Sequence, residues 1–465
     1  MNTFDVLRAG AFASSEVVTS GSYSDLTDKP KINGVTLTGD KSASDLGLQE
    51  TMTVDDHLDA TSVNPVQNKT IVSALRGGSP HHYGFKIDKN NSDPFTRVSY
   101  MYDAVGATPA AMDFTNDVFN YGSWADAFFM QCYPVALKFD GTEDYRLDPD
   151  DYSKKLDGTA SDVSDPDYPG NFMVAFPTIW FKRYDDGNYN YVEISDVKLG
   201  DDWHAYAHTN ADGKVMDKIY LPMYKGTLVN GKLRSISGAA PQHDTTADEE
   251  VAYAAACGAG WSIWSWAARE MINDLLILIG RSTDCQTTFG AGQESGYDTT
   301  KPNNGIINTG SLDAKWMFYG VSTSFSDVKV FHIAGYLASR WERLLGLLLI
   351  NNIWKVKMVP PYNFDGTGFI TPANAETPAN PENQGWLKSR NTSSYGSIPA
   401  VNSGGSQSTY TCDYSYKNGS GTRVALVGGN CGSGRGAGAF YVSVSNAASY
   451  RAWNLGASPV YIPPQ

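Results

Sequence analysis

Residues 422–464, TRVALVGGNCGSGRGAGAFYVSVSNAASYRAWNLGASPVYIPP, decide the C-terminal part of the fold. Glycine-rich turns separate short apolar strands, and a proline-rich tail ends the stretch. Apolar and polar residues alternate along 440–445, so one set faces the interior of a sheet and the other is presented. The inward set is Phe440, Val442 and Val444, and the presented set is Tyr441, Ser443 and Ser445. The presented set is small, polar and aromatic, which is typical of binding surfaces.

The composition favours a folded, β-rich chain. Its 465 residues are enough for two or three domains. Apolar residues make up 41% and charged residues 18%, while 45 glycines and 27 tyrosines suit turn-rich sheets with interaction surfaces. The formal net charge of -14 argues against a nucleic-acid partner, because binding phosphates requires a concentrated basic patch.

The five cysteines are odd in number, scattered and without a CxxC motif, so we expect mostly buried free thiols in a protein folded in a reducing cytoplasm. The first residues lack the apolar core of a secretory signal. The longest apolar run, 344–350, is too short to span a bilayer. We therefore expect no membrane insertion.

Residues 1–78 are polar and rich in turn signals. Asn33-Gly34 is typical of a tight hairpin turn between two short strands. The segment ATSVNPVQNKTIVSALRG predicts a proline turn and a short helix, which needs partner copies to bury its apolar side. The apolar positions of that helix are Val66, Ile71, Val72 and Leu75.

The motifs INGVTLTGDKSASDLGL and SVNPVQNK resemble modules of bacteriophage and prophage tail-fibre and receptor-binding proteins. This resemblance covers about the first 75 residues. It implies a trimeric fibre whose N-terminal region attaches to other tail proteins of the particle.

The remaining chain, 79–465, alternates strands with two helices. In its first half, 79–244, GFKIDKNNSDPFTRVSYM, FMVAFPTIWFKRY, YNYVEISDV and IYLPMYKGTLV predict strands separated by turns. The second half, 245–465, begins with a helix that has a Thr/Asp start and a Gly258 stop. A second helix carries an apolar stripe through Trp266, Met271, Leu275 and Leu278, and both helices are expected to lie against a sheet.

GAGWSIWSWAAREM, KVFHI, Trp341 and the terminal GTRVALVGGN…GAGAFYVSVSNAAS…WNLGAS together resemble a C-type-lectin fold. They are most similar to the branch shared by formylglycine-generating enzymes and variable proteins of diversity-generating retroelements. The resemblance implies an α+β fold: a C-type-lectin-like domain with a mixed, mainly antiparallel sheet and two helices, after a small β/coiled fibrous region. The implied scaffold residues are Arg423, Gly428, Gly429, Gly438, Phe440, Asn446, Ser449, Trp453 and Gly456.

In that family, chosen surface positions are diversified while the scaffold is kept. The resemblance implies a variable tip over 405–458, whose receptor-binding positions are Tyr414, Tyr416, Cys431, Ser433, Arg435, Ser443, Ser445, Tyr450, Arg451 and Ala452. Cys431 replaces the tryptophan usual after GGN, and we expect it to be exposed. An ordinary glycine-rich turn without programmed variation is the alternative.

Other chemistry has weaker support. The acidic segment 140–167 suits calcium only by composition, and His204 and His208 have helical ligand spacing without a third ligand. A formylglycine-type enzyme would need paired reactive cysteines, whereas Cys412 and Cys431 are distant in sequence. A polysaccharide-degrading tailspike would need paired carboxylates, for which the candidates are Asp365, Glu382 and Asp413. We expect no cofactor, no metal and no catalysis.

The sequence therefore predicts a phage tail-fibre or tail-tip adhesin, present in the virion and synthesised in the host cytoplasm. Its partners would be a bacterial surface receptor, either protein or glycan, and other tail proteins, and the chain would be a homotrimer. A structural fibre or baseplate component without receptor contact is the alternative. We also expect Arg340–Arg343 to hold a buried ion pair behind Trp341.

Overall fold

The computed structural model describes residues 29–48, 80–323, 325–373, 384–417 and 420–464. The chain divides into two units, Met1–Ser79 and Pro80–Gln465, which are described separately. The helix predicted at 66–75 and Glu382 lie outside the described residues.

In the first unit, β1 (Lys31–Ile32) and β2 (Val35–Thr36) form an antiparallel hairpin. Asn33 and Gly34 have φ angles of 50° and 80° at its turn. Two consecutive residues with positive φ are what a tight hairpin turn requires, and asparagine and glycine tolerate that conformation best. The predicted hairpin is confirmed.

The second unit is built mainly of short strands. Its first half contains β3 (His82–Asp88), β4 (Val98–Tyr102), β5 (Ala111–Asp113), β6 (Val118–Asn120), β7 (Tyr133–Lys138), β8 (Glu143–Arg146), β9 (Gly170–Pro177), β10 (Trp180–Asp185), β11 (Tyr189–Ser195), β12 (Lys218–Pro222), β13 (Thr227–Val229) and β14 (Lys232–Arg234). Its second half contains β15 (Trp261–Ile263), β16 (Lys329–Val330), β17 (Ile333–Ala334), β18 (Trp341–Ile350), β19 (Ile353–Val356), β20 (Gln384–Trp386), β21 (Ser389–Ser393), β22 (Gly396–Val401), β23 (Tyr414–Lys417), β24 (Thr422–Gly428), β25 (Gly438–Asn446), β26 (Leu455–Gly456) and β27 (Pro459–Tyr461).

Three α-helices lie in the described residues: α1 (Ala247–Ala255), α2 (Trp266–Gly280) and α3 (Cys285–Phe289). Thr246 caps α1 in a capping box with Glu249, and Ser265 caps α2 by accepting from the Ala268 amide. The sequence predicted both of the first two helices, but it also placed Trp261–Ile263 in the second one, and these residues form the strand β15. Short 3₁₀ turns lie at Ser44–Leu46, Phe128–Gln131, Tyr206–His208, Pro302–Gly305 and Gly434–Gly436.

Three larger sheets organise the second unit. A four-stranded sheet has the order β10-β11-β3-β4, and a six-stranded sheet has the order β15-β27-β12-β9-β7-β8. A seven-stranded sheet runs β19-β18-β24-β25-β23-β20, with β26 beside β18. In this last sheet the β23–β25 and β18–β26 pairs are parallel, and the other pairs are antiparallel. Four two-stranded hairpins complete the unit.

The predicted fold class was wrong. Among the described residues, 35% are in strands and 12% are helical, so the protein is mainly β rather than an α+β, C-type-lectin-like domain with two helices. The sequence indicated some of the strands, but not β15 or β18. Their division into several antiparallel sheets depends on pairing between distant segments, which local patterns do not specify.

Helix α2 is buried on every side, whereas the sequence predicted an apolar stripe against a single sheet. Its two acidic residues avoid the cost of burial through charged partners. The Arg183 side chain donates to Asp274 at 2.6 Å, and the Arg390 side chain donates to Glu270 at 2.6 Å. No helix of the described residues combines the length and apolar character needed to cross a membrane.

Strand β18 is buried along almost its whole length and contains the predicted ion-pair segment. Arg343 Nε donates to Glu250 Oε2 of α1 at 2.6 Å, and both side chains are completely buried. Glu342 pairs with Lys225 at 2.9 Å. A bulge between Arg343 and Leu348 shifts the register with β24. The expectation of a buried ion pair beside Trp341 is confirmed.

Candidate functional site

A row of aromatic side chains crosses one face of the seven-stranded sheet. The ring centroids of Trp341 and Tyr441 are 4.6 Å apart, and those of Tyr441 and Tyr414 are 5.8 Å apart. Trp386 continues the row, 5.7 Å from Tyr414. Each neighbouring pair meets edge to face, the arrangement that the charge distribution of aromatic rings favours. We call Trp341, Tyr441, Tyr414 and Trp386 the aromatic face.

Strand register brings these residues together. Trp386 of β20 lies directly opposite Tyr414 of β23. The parallel β23–β25 pair matches Tyr416 with Ser443, which places Tyr414 next to Tyr441. Because side chains alternate along a strand, Val442 and Val444 point to the opposite face and are buried in the main core. The inward and outward sets predicted for β25 are therefore observed.

The aromatic face presents hydroxyl groups rather than charge. Burial raises the pKa of Tyr441, and the nearby Tyr414 and Tyr416 raise it further. The Tyr441 hydroxyl therefore stays protonated at neutral pH. Trp341 is buried, whereas Tyr441, Tyr414, Tyr416 and Trp386 are half-buried. A ligand laid on this face would meet rigid rings and neutral hydrogen-bonding groups.

Four of the predicted binding positions, Tyr414, Tyr416, Ser443 and Ser445, lie on the same side of the sheet as the aromatic face. Tyr414, Tyr416 and Ser445 are half-buried, so a ligand can reach them. Ser443 is only 5% exposed, between Tyr416 and Leu426 of the adjacent strands. Ser443 lies on the presented side of β25 as predicted, but larger neighbours cover its small side chain in the middle of the sheet.

Three further predicted positions lie in the loop between β24 and β25 and mainly hold its shape. Cys431 is 1% exposed, so its predicted exposure was wrong, and burial raises the pKa of its thiol. Ser433 Oγ accepts from the Asn430 amide at 3.0 Å. Arg435 pairs with Asp284, the residue that caps α3, at 3.1 Å. These contacts attach the loop to the body of the protein.

The last three predicted positions lie between β25 and β26. Tyr450 is 46% exposed, and the exposed Arg451 side chain donates to Glu249 of α1 at 3.0 Å. Ala452 packs against the cluster that contains Trp341. The adjacent Trp453 stacks on Tyr297, with ring centroids 4.2 Å apart.

Several aromatic residues on or near the aromatic face were not among the predicted binding positions. Trp341, Trp386 and Tyr297 come from distant parts of the chain, and only tertiary structure reveals that the first two share a face. Tyr441 could have been included, because it belongs to the presented set of the alternation in β25.

The backbone geometry explains why glycine is required at three of the predicted scaffold positions. Gly428 and Gly429 have φ angles of 88° and 84°, where other residues are strained. Gly438 lies opposite Gly428 in the β24–β25 pair. A Cβ atom on Gly438 would lie 2.0 Å from Asp413 Oδ1. These glycines therefore allow the β24–β25 loop to leave β24 and to return into β25.

The described acids and cysteines that were considered for other chemistry are buried or bonded to nearby backbone amides. Asp413 is 1% exposed and accepts from the Phe440 amide, whereas Asp365 is exposed and caps a turn at Thr367. Burial raises the thiol pKa of Cys412, as it does for Cys431. Carboxylates of the segment 140–167 accept from amides of their own turns, as in Asp148 with Asp150. Among the described residues, no three His, Cys, Asp or Glu side chains converge to hold a metal ion.

His208 is completely buried in a 3₁₀ turn, while His204 stacks on Tyr206 with centroids 4.6 Å apart. Burial lowers the pKa of His208 to about 4, although the backbone carbonyl groups of Pro177 and Phe176 partly oppose this. The ring is therefore a neutral core group at physiological pH.

Acidification should destabilise the protein through His208. Its pKa is lower in the folded protein than in the unfolded chain, so its contribution is complete above pH 6.5 and is lost as the pH falls towards 4. Between pH 7 and pH 5, the wild type should lose about 2 kcal/mol more unfolding free energy than His208→Asn. Urea unfolding at the two pH values measures this difference. Replacing the exposed His243 with asparagine is the control, and equal losses in wild type and His208→Asn would contradict the assignment.

No protein-family model matches the chain, and no curated protein shows a significant match to it.

Proposed function

We propose that the chain is a phage tail-fibre or tail-tip adhesin that binds a bacterial surface receptor, protein or glycan, through the aromatic face. The observation that carries this proposal is the edge-to-face row from Trp341 to Trp386, with half-buried tyrosines. Rigid aromatic rings provide contact area at low entropic cost, and small hydroxyl groups adapt their hydrogen bonds. Binding rather than catalysis is the proposed activity.

The resemblance of the first 75 residues to tail-fibre modules supports the same proposal. In this arrangement the N-terminal region attaches to other tail proteins of the virion, and the second unit meets the host. A homotrimer would present three copies of the aromatic face, so weak individual contacts would add up to stable attachment.

If a retroelement diversifies the gene, burial and contacts favour some of the ten positions over others. Tyr414, Tyr416, Ser445, Tyr450 and Arg451 are exposed or half-buried. The remaining positions are buried, packed or hold the β24–β25 loop: Cys431, Ser433, Arg435, Ser443 and Ala452. Genes from sibling isolates should differ mainly at the five exposed or half-buried positions. Substitutions spread over the core and the loop contacts would contradict programmed variation.

Truncating the aromatic face should weaken attachment. Trp386→Ala and Tyr414→Ala should each cost about 2 kcal/mol of binding free energy, or about thirtyfold in affinity, as central aromatic residues of interfaces do. The measurement is binding of the fluorescently labelled protein to susceptible bacterial cells. Tyr414→Phe keeps the ring and should retain most of the binding.

Tyr189→Ala is the matched control, because it truncates a half-buried tyrosine on the separate four-stranded sheet. Thermal unfolding establishes that each variant is folded. Because the rings are uncharged, binding should change little with added salt. Unchanged attachment of folded Trp386→Ala and Tyr414→Ala would overturn receptor binding at this face and favour a purely structural role in the fibre.

A further inference from the structure

A separate cavity of about 690 Å³ opens where α1, β15, the loop 360–365 and the C-terminal tail meet. Its volume lies within the range of small-molecule sites. None of the four residues of the aromatic face lines it. The cavity is therefore a second candidate site on the described part of the protein.

The cavity has an apolar floor and aromatic walls. Ile263 and Leu345 form part of the floor and are almost completely buried. Tyr362 and Phe364 line the cavity and pack against the same cluster as the floor residues. The Tyr362 hydroxyl donates to the Met358 carbonyl oxygen at 3.1 Å, which holds that side chain in place. The site is thus formed before any ligand arrives.

The charge of the cavity is entirely negative. Asp248 and Asp365 line it, whereas no lysine, arginine or histidine is among its described lining residues. The Thr367 amide donates to Asp365 at 2.7 Å and keeps the pKa of that carboxyl below its usual value, with a smaller contribution from Lys357. Asp248 is exposed in the first turn of α1, where it is one of three acidic residues. The other two, Glu249 and Glu250, pair with Arg451 and Arg343, so Asp248 is the acid of this turn that contributes charge to the cavity.

We propose that this cavity binds a small organic ammonium ion, such as a trimethylammonium compound. Aromatic rings attract cations through their electron-rich faces, and quaternary ammonium groups are recognised in this way. The apolar floor suits the methyl groups, while Asp248 and Asp365 supply complementary charge. A free anion of the same size would be repelled by both carboxylates.

Calorimetric titration of the full chain with choline tests the charge requirement. Choline should bind with a dissociation constant on the order of 1 mM. Its neutral isostere, 3,3-dimethyl-1-butanol, should bind about tenfold more weakly, because it fills the same space without attracting the rings and carboxylates. Equal binding of the two compounds, or no binding of choline, would overturn the proposal.

Substitutions then locate the site. Asp248→Asn and Asp365→Asn should each weaken choline binding by about threefold, and Phe364→Ala by about fivefold. Asp201→Asn is the matched control, since Asp201 is fully exposed and does not line the cavity. Thermal unfolding checks that each variant is folded. Unchanged affinity in both cavity aspartate variants would overturn the assignment.

Co-sedimentation with phosphatidylcholine vesicles distinguishes a free ligand from a lipid-borne group. We expect free choline to bind without retention of the protein on the vesicles. Retention on vesicles without binding of free choline would overturn the proposal of a small-molecule site.

Discussion

Glu250→Ala is expected to lower the free energy of unfolding by about 3–5 kcal/mol, because it leaves the charge of Arg343 buried without its partner. Both side chains of this pair are completely buried. Arg343 also donates to the carbonyl oxygens of Thr245 and Tyr450, so the pair connects β18, α1 and the loop before β26. Urea unfolding at neutral pH measures the loss. Since whole domains are stable by only about 5–15 kcal/mol, the effect should be large.

The same helix supplies the control. Glu249 pairs with Arg451 at 3.0 Å, but that pair is exposed. Arg451→Ala should therefore change the unfolding free energy by less than about 1 kcal/mol. Equal losses of unfolding free energy in Glu250→Ala and Arg451→Ala would contradict this prediction. They would show that burial of the Arg343–Glu250 pair does not enlarge its effect on stability.

Gly438→Ala is expected to lower the free energy of unfolding by about 3 kcal/mol. This is the second large effect on stability that we predict. The new Cβ atom would lie 2.0 Å from Oδ1 and 2.2 Å from Cγ of Asp413. Asp413 cannot turn away freely, because it is buried and accepts from the Phe440 amide at 2.7 Å. Relief of the overlap must break that hydrogen bond or displace β25. Denaturant unfolding measures the loss.

A double-mutant cycle tests whether overlap of the new Cβ atom with Asp413 causes the loss of stability in Gly438→Ala. In a protein that already carries Asp413→Ala, Gly438→Ala should lower the unfolding free energy much less than it does in the wild type. The coupling energy should be about 2 kcal/mol. Gly432→Ala in the same loop is the control, because Gly432 is exposed and only the Asn430 side chain lies near its added Cβ. Additive losses in the double variant would show that overlap with Asp413 is not the reason that glycine is required.

Much of the local structure could be predicted from the sequence. The Thr/Asp start of α1 could be predicted because the Thr246 side chain accepts from an amide that the first turn leaves without a partner. Asn33-Gly34 indicates a hairpin because both residues tolerate positive φ. The alternation along β25 separates Val442 from Tyr441 because successive side chains leave a strand on opposite faces. Each of these signals acts over a few neighbouring residues.

The candidate site could be predicted only in part. Tyr414, Tyr416 and Ser445 were identified correctly as accessible positions. The burial of Ser443 and Cys431 was missed, because exposure depends on what neighbouring strands and loops place over a residue. Accessibility is a property of the packed structure.

The sequence by itself determined where the helix α1 begins, which residues turn the N-terminal hairpin, and which side of β25 faces the core. Only the tertiary structure decided that the chain is mainly β, that α2 is buried on all sides, and that Trp386 joins Tyr414 and Tyr441 on the aromatic face. The physical reason is distance along the chain. Caps, turns and alternation are local, whereas sheet order and burial result from the simultaneous packing of distant segments.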